Sequence, residues 1–309
     1  MIEETRRFNA ELERRLAAAP AVHTLPLQET RRLRSDGGGP FSAPVRLAQA
    51  RTITIAARSG ELCLRVLAPE RPRGTYLHIH GGGWTFGAAD QQDEPLWALS
   101  TATGLTAISV DYRLAPEHPH PASAEDCEDA GRWLLDSDLG DGFLAIGGES
   151  SGAHLALLTL LRLRDAGARG RIHAATLVSG WYDVSLTPSA RLWGDRQLVL
   201  STPTLRWLAD NLCGSIDPER RRDPSVSPLF ADMHDLPPCL ITVGTLDPLL
   251  DDSLFLHARL RAAGNPVALH VVDEAIHGFN LFPIAAAREA AGRINAFLGI
   301  PHSPSSTRP

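Results

Sequence analysis

FLAIGGESSGAHLALLTLLRL, Phe143 to Leu163, begins as an apolar run of strand length and ends as a long stretch of helical composition. Between the two sits Gly148-Glu149-Ser150-Ser151-Gly152, a G-x-S-x-G. A sharp strand-to-helix turn forces the residue at its apex into strained backbone geometry, and only small flanking residues let the chain pass. The apical serine then projects from the turn, above the positive end of the following helix dipole. A glycine-rich turn whose serines merely cap a helix would share this composition. With a strand before it and a helix after it, the nucleophile reading is the stronger, and Ser150 is the candidate, with Ser151 supplying the next backbone N–H.

Outward from this turn, short apolar runs alternate with helical segments. TITIAA (Thr52–Ala57) and ELCLRVLAP (Glu61–Pro69) read as an early hairpin. TYLHIHG, LTAISVDYR, FLAIGGES, AATLVSG, CLITVGT and VALHVVDE are six further strand candidates. Several are almost continuously apolar, which suits strands buried on both faces. Helical patterns occupy Glu94–Thr103, Ala124–Asp136, Ser150–Ala166, Leu250–Ala263 and Ala285–Leu298. The alternation predicts an α/β fold, a mostly parallel eight-stranded sheet flanked by helices. Two regions break the rhythm. Ile2–Ala18 is an amphipathic helix followed by a Pro/Gly-rich stretch from Pro20 to Pro44, and Trp181–Pro238 holds a helix near Pro203–Leu212 but no strand. Excursions of that length tend to be functional. They are expected to form a helical cap from residues 1–44 and 181–238 on a core of residues 45–180 and 239–300, with a disordered tail at 301–309.

A serine hydroxyl needs a base within hydrogen-bond reach. On an elbow of this kind the acid follows the serine in the chain, and the histidine follows the acid. After Ser150, His154 and His257 lie in helices, His173 and His270 at or in strands, His302 in the tail, and His234 within the long insertion. His277 stands in DEAIHGFNLF, between the last strand and the last helix, where a loop can reach back to the same sheet edge. His277 is the candidate base. In CLITVGTLDPLLDDS, Asp247 lies in the loop after a strand, whereas Asp251 and Asp252 fall in the first helical turn, where acids complement the dipole. Asp247 is the candidate acid, with Asp273 and Glu274 as the fallback.

HIHGGGWTFG, His78 to Gly87, spends three glycines in a row, the triplet with the greatest backbone entropy loss on folding. A hydrolase needs donors aimed at the oxygen that turns negative in the tetrahedral intermediate, and bare glycine N–H groups leave room for substrate. Gly82 and Gly83, with Ser151, are the candidate oxyanion hole. Trp84 is expected to wall or anchor this loop beside the substrate, with Phe86, Trp181 and Tyr182 as further pocket linings and Trp193 and Trp207 as cap linings.

Composition narrows the partners. The 309 residues are 43% hydrophobic and 21% charged, with a net charge of −6 and no basic block, so nothing favours nucleic acid or an anionic membrane. The four cysteines are scattered without a CxxC pair, and free thiols in a reducing cytoplasm are the expectation. The charged start differs from a signal peptide, and no run of about 18 apolar residues offers a membrane span. His78/His80 and His118/His120 have a chelating spacing but no carboxylate or thiol cluster around them, so no metal is expected.

HGGGW, DYRLAPEHPHPAS (Asp111–Ser123), GESSGAH, DPLLDD and HGF occur in this order. Together they resemble the hormone-sensitive-lipase-like esterases, bacterial family IV of the α/β-hydrolases, over roughly Arg65 to Leu298. The resemblance implies a serine carboxylesterase for short- to medium-chain acyl esters, with a Ser150–Asp247–His277 triad, an oxyanion hole at Gly82, Gly83 and Ser151, no cofactor, and a homodimer through the last strand. DYRLAPEHPHP is expected to brace the oxyanion loop. The elbow departs from the family's usual G-D-S-A-G-G at Glu149, Ser151 and Ala153, of which Ser151 keeps its N–H. The same machinery would serve an amide, carbamate or lactone hydrolase. A non-catalytic receptor on this scaffold, as among plant hormone receptors, lacks the histidine that His277 provides here.

Overall fold

The computed structural model describes residues 1–299. All eight apolar runs become strands of one sheet: β1 (Arg51–Ala57), β2 (Gly60–Leu67), β3 (Gly74–Ile79), β4 (Thr106–Val110), β5 (Phe143–Glu149), β6 (Ala174–Val178), β7 (Cys239–Leu246) and β8 (Val267–Ile276). Their order across the sheet is β1-β2-β4-β3-β5-β6-β7-β8. β2 is antiparallel to both neighbours, and β4 through β8 run parallel. β3, β4 and β6 are buried along their whole length, as strands covered on both faces must be. The tail 301–309 lies outside the described residues.

The helices are α1 (Ile2–Ala17), α2 (Leu27–Ser35), α3 (Asp93–Thr103), α4 (Ala122–Asp136), α5 (Ser151–Asp165), α6 (Pro188–Leu192), α7 (Thr202–Cys213), α8 (Leu250–Ala262) and α9 (Ala285–Gly299). Two of them, α2 and α6, have no counterpart in the sequence reading. α2 lies inside Pro20–Pro44, whose glycines and prolines sit on either side of a breaker-free Leu27–Ser35. At five residues, α6 is too short to show a helical period. Among the described residues no helix is long and apolar enough to cross a membrane.

From β3 the chain moves to one side for β4 and then returns to the other side for β5. The strand order therefore reverses between β3 and β5, and such a switch point opens a crevice at the carboxyl ends of the strands. HGGGW leaves β3 and the serine turn leaves β5, with Ile79 and Gly148 paired in register. α5 starts from that turn and is buried on nearly all sides, Leu155 to Leu161 included. Its approach to β3 is close: a Cβ on Gly152 would lie 2.0 Å from the Ile79 carbonyl oxygen and 2.7 Å from that of His80. A Cβ on Gly148 would lie 2.2 Å from the same Ile79 oxygen.

A buried polar tie crosses this region. Trp84 Nε1 donates to His154 Nδ1 at 3.2 Å, and His154 Nε2 lies 2.8 Å from the Val226 carbonyl. The imidazole must be the neutral Nε2–H tautomer to accept at one nitrogen and donate at the other. Burial favours the same state, lowering the His154 pKa to about 3. The tie thus joins the glycine loop, the nucleophile helix and the 181–238 segment through one uncharged ring.

Two outcomes are expected. Gly152→Ala forces α5 away from β3 and should lower the unfolding free energy by about 2 kcal/mol or more; a urea unfolding curve unchanged from wild type would contradict the close approach. For His154, the folded pKa lies below the unfolded value near 6.5, so its contribution is complete above about pH 6.5 and is lost as pH falls towards 3. At pH 5 that loss amounts to about 2 kcal/mol. His154→Gln should be less stable at pH 7 yet lose less between pH 7 and 5, as read from urea unfolding at the two values.

Candidate active site

Ser150 occupies the strand-to-helix turn at φ 56°, ψ −121°, a region that L residues adopt only when their surroundings force it. Ser150 N–H donates to the Val178 carbonyl at 2.9 Å, which holds the turn against β6. His277 follows β8 directly, and Gly278 behind it takes a left-handed φ of 68°. His277 Nε2 lies 3.0 Å from Ser150 Oγ. Its Nδ1 lies 3.0 Å from each carboxylate oxygen of Asp247. Asp247, at the end of β7, also accepts the Leu249 N–H at 2.9 Å. Both Asp247 and His277 are buried. The three sequence candidates are therefore joined in one hydrogen-bonded chain, drawn from the ends of β5, β7 and β8.

The glycine loop meets them from β3. Gly82 has φ 129° and Gly83 φ 60°, both in the region that favours glycine. The Gly82 carbonyl accepts from the N–H groups of Thr85 and Phe86 at 3.2 and 3.0 Å, closing a tight turn. A Cβ on Gly82 would fall 2.1 Å from the Phe86 carbonyl oxygen. Among the described residues, no backbone carbonyl outside regular elements accepts from Gly82 or Gly83 N–H. Ser151 is the first residue of α5, where the N–H has no partner within the helix.

DYRLAPEHPHP supports this loop from behind. The Ala115 N–H donates to the Trp84 carbonyl at 2.9 Å, and Tyr112 Oη donates to the His80 carbonyl at 2.9 Å. The His80 ring stacks on Tyr112 with centroids 4.2 Å apart, and burial lowers its pKa to about 4. Arg31 of α2 reaches across to the Thr85 and Ala115 carbonyls and forms an ion pair with Glu117.

The chain encloses a cavity of about 250 Å³ whose wall includes Gly81, Gly82, Gly83, Ser150 and His277. Phe86 and Trp181 line it as expected, but Trp84 and Tyr182 do not. Trp84 is fully buried, turned away into its contacts with His154 and the Trp181 ring, 4.9 Å away. It anchors the loop from beneath and offers substrate no wall. Tyr182 is likewise fully buried in the core. Trp193 and Trp207 are not among the lining residues either; Trp207 packs behind Phe86 at 5.8 Å. Further parts of the wall come from positions that carried no sequence signal, among them Arg34 and Phe41 from the N-terminal segment, and Val199, Thr204 and Leu208 from the insertion.

Asp251 and Asp252 lie in the first turn of α8 as expected, but they and Glu274 also make contacts that the sequence did not show. Asp252, read as a dipole complement, is buried and accepts from the N–H groups of Tyr182 and Asp183 and from the Thr187 hydroxyl. Burial raises its pKa to about 7. It fastens the start of the insertion to α8. Asp251 accepts the Ser189 N–H at 2.8 Å and adds to the same attachment. Glu274, a fallback acid, forms an ion pair with Arg6 of α1. Glu149 of the elbow lines the cavity, with its carboxylate 3.0 Å from His78 Nε2.

A family model described as the alpha/beta hydrolase fold matches residues 76–281. The acetyl-hydrolase of Streptomyces hygroscopicus is 34% identical over 234 residues, covering 74% of this chain and 77% of its own. The hyperthermophilic esterase of the archaeon Pyrobaculum calidifontis superposes with a TM-score of 0.83 at 27% identity, over 94% of this chain and 96% of that one. An esterase of the bacterial hormone-sensitive lipase family gives 0.82 at 28%, over 96% and 97%. With eight strands in this order, a serine on the elbow after β5 and these relatives, the chain belongs to the α/β-hydrolase family, on its hormone-sensitive-lipase-like branch.

Proposed function

We propose that the protein is a serine carboxylesterase acting on short- to medium-chain acyl esters. The observation that carries this reading is the Ser150–His277–Asp247 chain, with 3.0 Å between Ser150 Oγ and His277 Nε2, opening into a cavity walled by the glycine loop. His277 takes the Ser150 proton as Oγ attacks the ester carbonyl, then returns it to the departing alcohol. Asp247 holds Nδ1–H and so fixes the tautomer whose Nε2 is free to act as base. The tetrahedral oxyanion is received by the N–H groups of Gly82, Gly83 and Ser151, backbone donors that bring no side chain into the space the substrate needs. Water, deprotonated by the same histidine, then releases the acid from Ser150. None of these steps calls for a cofactor.

Residues 1–44 and 181–238 act as the cap over a core of residues 45–180 and 239–300. The two segments contribute Arg34, Phe41, Val199 and Leu208 to the cavity. At about 250 Å³ the cavity falls just below the usual range of small-molecule sites, which supports short acyl groups. The reading also includes a cytoplasmic home, in keeping with four unpaired cysteines, and a homodimer along β8, the strand at the sheet edge.

The test is hydrolysis of p-nitrophenyl esters from acetate to palmitate. Turnover is expected for the short chains, and Ser150→Ala should lower kcat by roughly 10⁴-fold or more. Asp247→Asn should lower it by about 10⁴-fold through the wrong histidine tautomer. Activity that survives in Ser150→Ala would place the nucleophile elsewhere, and a folded wild type inert at every chain length would end the esterase reading.

A further inference from the structure

The cavity wall contains one arginine, Arg34, in the last turn of α2. Its guanidinium carbon sits 4.7 Å from the centroid of the Phe86 ring and 5.7 Å from that of Phe41. Neighbouring arginines of the N-terminal segment are all engaged: Arg31 with Glu117, Arg32 with Asp36, Arg46 with Asp90, and Arg15 with the Pro40 carbonyl. Among the described residues no carboxylate lies within ion-pair distance of Arg34, and no carbonyl or hydroxyl accepts from it. Arg34 is half-buried, and this desolvation lowers its pKa to about 10, so the group stays charged at neutral pH.

A cation in that position has no protein acceptor among the described residues and faces the solvent of the cavity. Two aromatic faces flank the guanidinium, and its in-plane N–H donors are left for water or a ligand in the cavity. The two carboxylates that share the cavity do not fill the role. Glu149 is held by His78, and Glu94 is exposed on the first turn of α3, in no ion pair among the described residues. The planar fork of an arginine matches a carboxylate bidentately. The rings that stack on Arg34 would hold that fork in one plane before a ligand arrives, which reduces the ordering required on binding.

We propose that the substrates of this cavity carry a carboxylate of their own, as in a monoester of a dicarboxylic acid, and that Arg34 is the specificity residue that receives it. The inference rests on the hydrolytic reading of Ser150. With the carboxylate on Arg34 and the ester carbonyl at Ser150, water is added across the ester C–O bond. The alcohol leaves, and a dicarboxylate is the product. The neutral remainder of the wall, Phe41, Phe86, Trp181 and Leu208, suits the methylene chain between the two ends.

The experiment compares monoethyl adipate with ethyl hexanoate, following ethanol release by wild type, Arg34→Met and Arg34→Lys, with melting curves for each protein. Wild type should show the higher kcat/KM on the anionic ester. Arg34→Met retains an apolar stem against the two rings but removes the charge. It should lower the anionic-to-neutral ratio of kcat/KM by about tenfold or more, the size expected for a charge-assisted hydrogen-bonded pair. Arg34→Lys, with the charge but without the fork, should fall between the two. A purely structural role would lower both substrates together and leave the ratio unchanged, and that result would overturn the proposal. So would a wild type that disfavours the anionic ester, an outcome that counts even if Arg34→Met fails to fold. Turnover of neither ester by folded wild type would instead count against the hydrolytic reading itself.

Discussion

The Ile79 carbonyl oxygen occupies the space that a side chain on either Gly148 or Gly152 would need. This close approach sets the geometry of the site. It lets α5 start directly against β3, so the first-turn N–H groups of the helix and the glycine loop leaving β3 converge on the same small volume. Ser150 is left at φ 56° because the chain must turn from β5 into α5 within that space. The strain is maintained by what surrounds it: the Val178 carbonyl on the Ser150 N–H, the registered β3–β5 pairing, and the all-round burial of α5. A backbone outlier of this kind costs roughly 1–3 kcal/mol, which a helix with so much buried apolar surface can offset.

Much of this was readable in the chain because strand ends carry the chemistry. The apolar runs, the G-x-S-x-G between a strand and a helix, and the order serine, acid, histidine are all local features. Once the runs are recognised as parallel strands, the geometry of the sheet brings their carboxyl ends together. Asp247 could be preferred over Asp251 and Asp252 by its place in a loop, and the fold puts it 3.0 Å from His277. What could not be read is whatever depends on contacts between segments distant in sequence. Trp84 follows the glycines and looks like a pocket wall, yet its side chain turns inward because His154, seventy residues later, offers an acceptor. Asp252 looks like a dipole complement until the insertion is seen folding back to place three donors on it. α2 was hidden by its flanks, since glycines and prolines counted over a window mask a nine-residue helix that contains neither.

The buried polar groups divide into two sets with opposite electrostatic demands. His80 and His154 are held neutral by burial, and each is bound to the loop that the oxyanion would meet, through Gly81 or Trp84. Neutral rings at these places leave the positive potential around the glycine loop to backbone N–H groups and the α5 terminus. A charged imidazole there would be less discriminating and would carry a desolvation penalty. The charged networks lie farther out, where Arg58, Arg113 and Arg132 meet the acids of α4. Solvent reaches the arginines there but not Asp126, which is fully buried and receives the Arg113 guanidinium through charge-assisted hydrogen bonds.

The Ser150–His277–Asp247 chain and much of the cavity wall thereby come from different parts of the molecule. The hydrogen-bonded triad comes from strand ends that the sheet holds rigidly, so it does not depend on which segment covers it. The opposite wall comes from the N-terminal segment and the 181–238 insertion, which are attached by discrete polar anchors: Arg31 on the glycine loop, Asp252 on Tyr182 and Asp183, His154 on Val226. Anchors of this type fix the position of a segment without constraining the side chains it turns towards the cavity. Phe41 and Arg34, on the N-terminal segment, reach the cavity without a hydrogen bond or ring contact to Ser150, Asp247 or His277. A glycine at position 83 shows how closely the two parts meet, since a Cβ there would lie 2.6 Å from Leu208 Cδ1. The glycine loop is bare enough to let the 181–238 segment rest directly on it.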